Sequence, residues 1–131
     1  MPEPDDDTLA SSATSPDDVL LVEDDDDDAS TIEAMLLDIG YQRVIRVATV
    51  EQALQSLQSA RPSVVVLDAS LRGMSAYRVA AQLRDIGVPF VVSTGYDPNS
   101  LPGSFQSGIA LRKPYARTDL FMALEAAQHH R

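Results

Sequence analysis

Five short apolar runs punctuate the chain: Val19–Val22, Val44–Val47, Val64–Leu67, Phe90–Val92 and Ile109–Leu111. Runs such as "VVVL" are apolar at consecutive positions and rich in β-branched residues, the pattern of strands buried on both faces. Between most of them the spacing turns helical. Ala29, Ile32, Leu36 and Ile39 share one helical face, and Gly40 suits the position just past a helix end. Val50, Ala53, Leu54 and Leu57 form a second stripe, opened by Thr49 and Gln52 as a capping box and closed by Pro62. Ala76, Val79, Ala80 and Leu83 form a third, and Leu120, Ala123, Leu124 and Ala127 a fourth. Between the fourth and fifth runs lies "YDPNSLPGSFQSG", where Pro98, Pro102 and Gly103 oppose a regular helix. A loop or one short helical turn is predicted there. Strands alternating with helices imply an α/β fold: a five-stranded parallel sheet with helices on both faces.

At 131 residues the chain is long enough for one domain with a proper core. Residues 1–17 are rich in Asp, Pro, Ser and Thr, lack apolar periodicity and read as a disordered acidic tail. The folded domain is expected over 18–131. The net charge of −10 is concentrated at the start, since 12 of the 20 acids precede Ala29. From Ala29 onward, ten basic residues face eight acids, a net of +2. The acidity argues against non-specific nucleic-acid binding. No apolar run is long enough for a membrane span, no secretory leader is present and cysteine is absent, so a cytoplasmic setting is expected.

Ligands of parallel α/β sheets bind beyond the carboxyl ends of the strands. The first run is followed by Glu23 and Asp24, the opening of a stretch of six consecutive acids. The third ends at Asp68, the fourth at Ser93 and Thr94, and the fifth at Lys113, the only lysine in the chain. Carboxylates, a hydroxyl and an ammonium would therefore meet at one sheet edge. Glu23, Asp24 and Asp68 offer the hard oxygen ligands that Mg²⁺ prefers. Asp68 would be a nucleophile towards phosphorus, with Thr94 and Lys113 contacting phosphoryl oxygens. Asp25–Asp28 read instead as helix-start and surface charges at the positive end of a helix dipole. A calcium loop starting at Asp24 fails, because Ala29 and Met35 stand where glycine and glutamate are needed.

"VLLVEDD", "VVVLDASLRG", "VPFVVSTGY" and "LRKP" resemble the receiver domain of two-component response regulators. The resemblance runs from about Val19 to Ala127. It implies a flavodoxin-like sheet of strand order 2-1-3-4-5, with the fourth helix short or replaced by loop. It makes Asp68 the phosphoacceptor and Glu23 and Asp24 the acidic pair at the metal. Ser70 would offer its backbone carbonyl to Mg²⁺, Thr94 would be the switch hydroxyl and Lys113 the phosphate contact. Lys113–Pro114 becomes a candidate cis bond. "STGY" after "VPFVV" is similar to the stand-alone alphaproteobacterial receivers of the "FAT GUY" type. Two positions depart from the common receiver pattern. Ala110 replaces the usual aromatic switch residue, which leaves Tyr96 as the candidate substitute, and Arg72 stands where proline is common.

The expected function is a stand-alone receiver that takes a phosphoryl group from a sensor histidine kinase or histidine phosphotransferase. It would signal by conformational change and contact with a downstream protein, as a monomer or weak homodimer. Enzymatic turnover beyond self-phosphorylation and autodephosphorylation is not expected. The alternative is an Asp-nucleophile, Mg-dependent phosphatase of haloacid-dehalogenase type. That family expects a second aspartate where this chain has Ser70. A flavodoxin would need a hydroxyl- and glycine-rich loop where this chain has its acidic run.

Overall fold

A computed structural model describes residues 18–97 and 100–129. The proposed tail, residues 1–17, lies outside the described residues. The elements run β1 (Asp18–Val22), α1 (Asp26–Ile39), β2 (Arg43–Val47), α2 (Val50–Ser59) and β3 (Val64–Asp68). A small hairpin follows, β4 (Ser70–Leu71) and β5 (Met74–Ser75), then α3 (Tyr77–Ile86) and β6 (Phe90–Thr94). A 3₁₀ segment (Gly103–Ser107), β7 (Ile109–Arg112) and α4 (Arg117–His129) complete the order. The main sheet is parallel throughout, in the order β2-β1-β3-β6-β7. Counting only its own strands, that is 2-1-3-4-5, the flavodoxin-like order.

Side chains alternate across the sheet, so each central strand feeds two cores. Leu20, Val22, Val65, Leu67, Phe90 and Val92 pack against α2, α3 and Phe105 of the 3₁₀ segment. Val19, Leu21, Val64, Val66 and Val91 pack against α1 and α4. Every residue of β3 and β6 is buried, as the consecutive apolar runs predicted. Phe90 constrains the approach to β7. A Cβ added at Gly108 would sit 2.5 Å from the Phe90 ring and 2.8 Å from its carbonyl oxygen.

Local chemistry sets the helix ends. Asp25 caps α1 by accepting from the Asp28 amide at 2.9 Å, and Asp26, Asp27 and Asp28 fill the first turn. The helix therefore starts earlier than its apolar stripe. Gly40, at φ 131°, ends it and donates to the Leu36 carbonyl. Thr49 accepts from the Gln52 amide at 3.1 Å, and the Gln52 side chain returns to the Ala48 amide at 2.8 Å. The predicted capping box thus forms, reaching one residue further back. Between β6 and β7 lies the 3₁₀ segment, entered from Pro102.

Candidate functional site

Strand pairing brings the candidates together. β1 lies between β2 and β3, and the Glu23 amide extends the ladder to the Val47 carbonyl at 3.0 Å. Glu23 is held in a buried position beside Asp68, also buried, at the tip of β3. One carboxylate oxygen from each of Glu23, Asp24 and Asp68 lies within 4.8 Å of the others. Register sets Asp68 opposite Ser93, so Thr94 stands one residue further out on the neighbouring strand. The Lys113 amide donates to the Thr94 carbonyl at 2.7 Å, fixing the start of the next turn. The Lys113–Pro114 bond is cis, as the resemblance implied.

Lys113 Nζ donates to Glu23 Oε1 at 3.2 Å, to Asp68 Oδ2 at 3.2 Å and to Asp28 Oδ2 at 3.3 Å. Asp68 Oδ1 accepts from the Ser70 amide at 3.1 Å. Asp24 Oδ2 accepts from the Arg72 amide at 2.7 Å. Burial pushes the Glu23 carboxyl up from 4.5 to about 7, with the adjacent Asp68 adding to the effect and Lys113 opposing it. Burial alone would pull Lys113 down. The charges of Asp68 and Glu23 outweigh it, and the ammonium is held well above its ordinary value.

Three clustered carboxylates face one ammonium, so the pocket carries excess negative charge. Its donors are hard oxygens, a set suited to a divalent cation such as Mg²⁺. Ser70 follows Asp68 by two residues, at the start of the hairpin. The Ala76 amide bonds the Ala69 carbonyl at 2.9 Å, and the alternation of an antiparallel ladder turns the Ser70 carbonyl away from β5.

The remaining candidates sit differently. Thr94 is buried, and its Oγ1 accepts from the Tyr96 amide at 3.0 Å. The Tyr96 side chain is 75% exposed, out of the carboxylate cluster. Ala110 pairs with Val92 and offers no ring to this region.

A family model for the response regulator receiver domain matches residues 19–125. The chain belongs to that family. Among solved structures, the receiver domain of a sensor histidine kinase from Pseudomonas aeruginosa PAO1 is 30% identical, with a TM-score of 0.71. The match covers 87% of this chain and 98% of that one, which carries a magnesium ion coordinated in its active-site cleft. SdrG from Sphingomonas melonis Fr1 is also 30% identical, with a TM-score of 0.75 over 86% of this chain and 98% of that one. A CheY-like receiver from Methylobacillus flagellatus shares the fold at 24% identity, with a TM-score of 0.73 over 86% and 99% of the two chains. No curated protein matches. Membership makes the molecule a receiver domain with an acidic pocket, in a signalling family rather than a family of classical enzymes. Among the described residues no helix is long and apolar enough to cross a membrane.

Three features of the receiver were not legible in its sequence. Asp28, read as a surface charge, reaches Lys113 across 85 positions of sequence. The β4–β5 hairpin brings the Arg72 amide onto Asp24. The buried Ser93 hydroxyl pairs with the Tyr115 hydroxyl at 3.1 Å, tying the end of β6 to the turn after Lys113. No local signal marks these contacts, which depend on segments far apart in the chain.

Proposed function

We propose that this receiver accepts a phosphoryl group on Asp68 from a histidine kinase or histidine phosphotransferase. The observation that carries the reading is the convergence of Glu23, Asp24, Asp68 and Lys113 at the carboxyl edge of the sheet. A carboxylate oxygen of Asp68 attacks phosphorus, and the phosphorus–nitrogen bond to the donor imidazole breaks. The electron pair stays on the imidazole, which takes up a proton. Lys113, already 3.2 Å from Asp68 Oδ2, is in reach of an oxygen on the incoming group. Glu23, Asp24, Asp68 and the Ser70 carbonyl would hold Mg²⁺. When bound, the ion supplies charge neutralisation for the phosphoryl oxygens. The Thr94 hydroxyl would exchange its Tyr96 amide for a phosphoryl oxygen, which couples phosphorylation to the segment that follows.

The finer assignment is a stand-alone receiver of the "FAT GUY" type. It is supported by Ser93-Thr94-Gly95-Tyr96 at the end of β6 and by the 3₁₀ segment in place of a full helix. The test is incubation with acetyl phosphate and Mg²⁺, with and without EDTA, beside p-nitrophenyl phosphate as a turnover substrate. One metal-dependent adduct per chain with negligible turnover is expected. Sustained turnover without an adduct would favour the haloacid-dehalogenase-like alternative.

A further inference from the structure

We propose that the β4–β5 hairpin is a clamp on the metal pocket, in which the backbone amide of Arg72 positions Asp24. The inference rests on the metal role proposed above for Asp24. Lys113 pairs with Glu23, Asp28 and Asp68, but no ion pair among the described residues reaches Asp24. Its carboxylate is held instead by the Arg72 N–H at 2.7 Å, the short end of the range for such bonds and the mark of a charge-assisted one.

Hairpin geometry makes that donor available. Leu71 pairs with Met74, leaving Arg72 and Gly73 as a two-residue turn. Both have positive φ, 52° and 79°, the requirement of a type I′ turn. In such a turn the first central residue donates nothing to the ladder, so the Arg72 N–H is free to face the pocket. The Ser70 N–H, two positions earlier, donates to Asp68 Oδ1 at 3.1 Å. Along this edge the hairpin thus presents two backbone amides, those of Ser70 and Arg72, to two carboxylates. Leu71, between them, is 1% exposed and packed in the core formed with α2 and α3, which makes the edge a rigid support.

With Oδ2 anchored, Asp24 has its rotamer fixed and its second oxygen left for the metal. A partner of this kind orients a ligand without touching the ion. Proline, common at this position in receivers, has no N–H to donate. The device therefore belongs to chains with another residue there.

Mg²⁺ titration by calorimetry, without a phosphodonor, separates the amide from the side chain. Arg72→Gly and Arg72→Ala keep the N–H and should leave the dissociation constant unchanged. Arg72→Pro removes it and should weaken binding about tenfold or more. Because proline also opposes the turn, a second measurement stands independently of it. In ¹⁵N–¹H spectra, the Arg72 amide proton should lie at low field and move on Mg²⁺ addition. In Asp24→Ala it should move upfield, while the Leu71 and Met74 amides stay in place.

An Arg72 amide indifferent to Asp24→Ala would overturn the proposal, as would equal weakening by glycine and proline at position 72. If Asp24→Ala abolishes Mg²⁺ binding but a folded Arg72→Pro binds normally, the clamp alone fails. If Asp24→Ala leaves Mg²⁺ binding intact, the metal assignment fails with it.

Discussion

Replacing Glu23 by glutamine keeps the shape of a buried side chain and removes its charge. In metal-free protein burial and Asp68 push this carboxyl up from 4.5 to about 7, against the opposing pull of Lys113. Between those values the folded protein holds the proton more tightly than the unfolded chain. The wild-type protein should therefore lose stability as pH rises from about 4.5 to about 7, and then level off. A displacement of that size corresponds to about 3 kcal/mol above the upper value. Glu23→Gln abolishes this dependence, while Lys113 keeps Asp28 and Asp68 as partners. In EDTA, the stability of the variant relative to wild type should increase by up to about 3 kcal/mol between pH 5 and pH 8. Urea unfolding followed by circular dichroism at both pH values measures it. The slope with pH is the diagnostic, because glutamine is not identical to a protonated glutamate. Saturating Mg²⁺ should erase the advantage by stabilising the wild-type site through mass action. An identical stability difference at both pH values, or a larger advantage at pH 5, would show that Glu23 is not held protonated by its burial.

Other expectations follow from the same geometry. Asp24→Ala should weaken Mg²⁺ binding strongly, whereas Asp27→Ala, on an exposed first turn of α1, should barely change it; calorimetry compares the two. Gly108→Ala should lower stability by about 1–3 kcal/mol in chemical denaturation, because the new methyl meets the Phe90 ring and its backbone carbonyl. A beryllofluoride phosphoryl mimic should alter hydrogen exchange across residues 95–108 and leave α2 unchanged, and Tyr96→Ala should reduce the response. Unaltered exchange in 95–108 with the mimic bound would remove this segment, and Tyr96 with it, from the switch.

The centre of the sheet was legible because fully buried parallel strands carry their own signal. Val64–Leu67 is apolar at every position, and no alternating or helical pattern competes with it. Caps were legible for the same local reason: Thr49 with Gln52 and Gly40 act within one helical turn. The acidic run divided as its chemistry suggests. Asp25–Asp27 serve the helix start, and Glu23 and Asp24 turn into the pocket. Asp28 escaped that division, since its contact with Lys113 depends on how α1 sits against the end of β7. The hairpin was hidden for a different reason. Each of its strands has two residues, too few for any periodicity, and Arg72 carries no sign of its left-handed backbone. Gly73 marks a turn there, but not which amide it aims or at what.

The central claim is that Asp68 is the residue that carries the phosphoryl group. Labelling with acetyl phosphate and Mg²⁺, borohydride reduction of the acyl phosphate and tandem mass spectrometry of the digest locate the adduct directly. One modified residue per chain, Asp68, is expected, with labelling lost in EDTA and in a folded Asp68→Asn variant. A label on another residue, or undiminished labelling of Asp68→Asn, would contradict it.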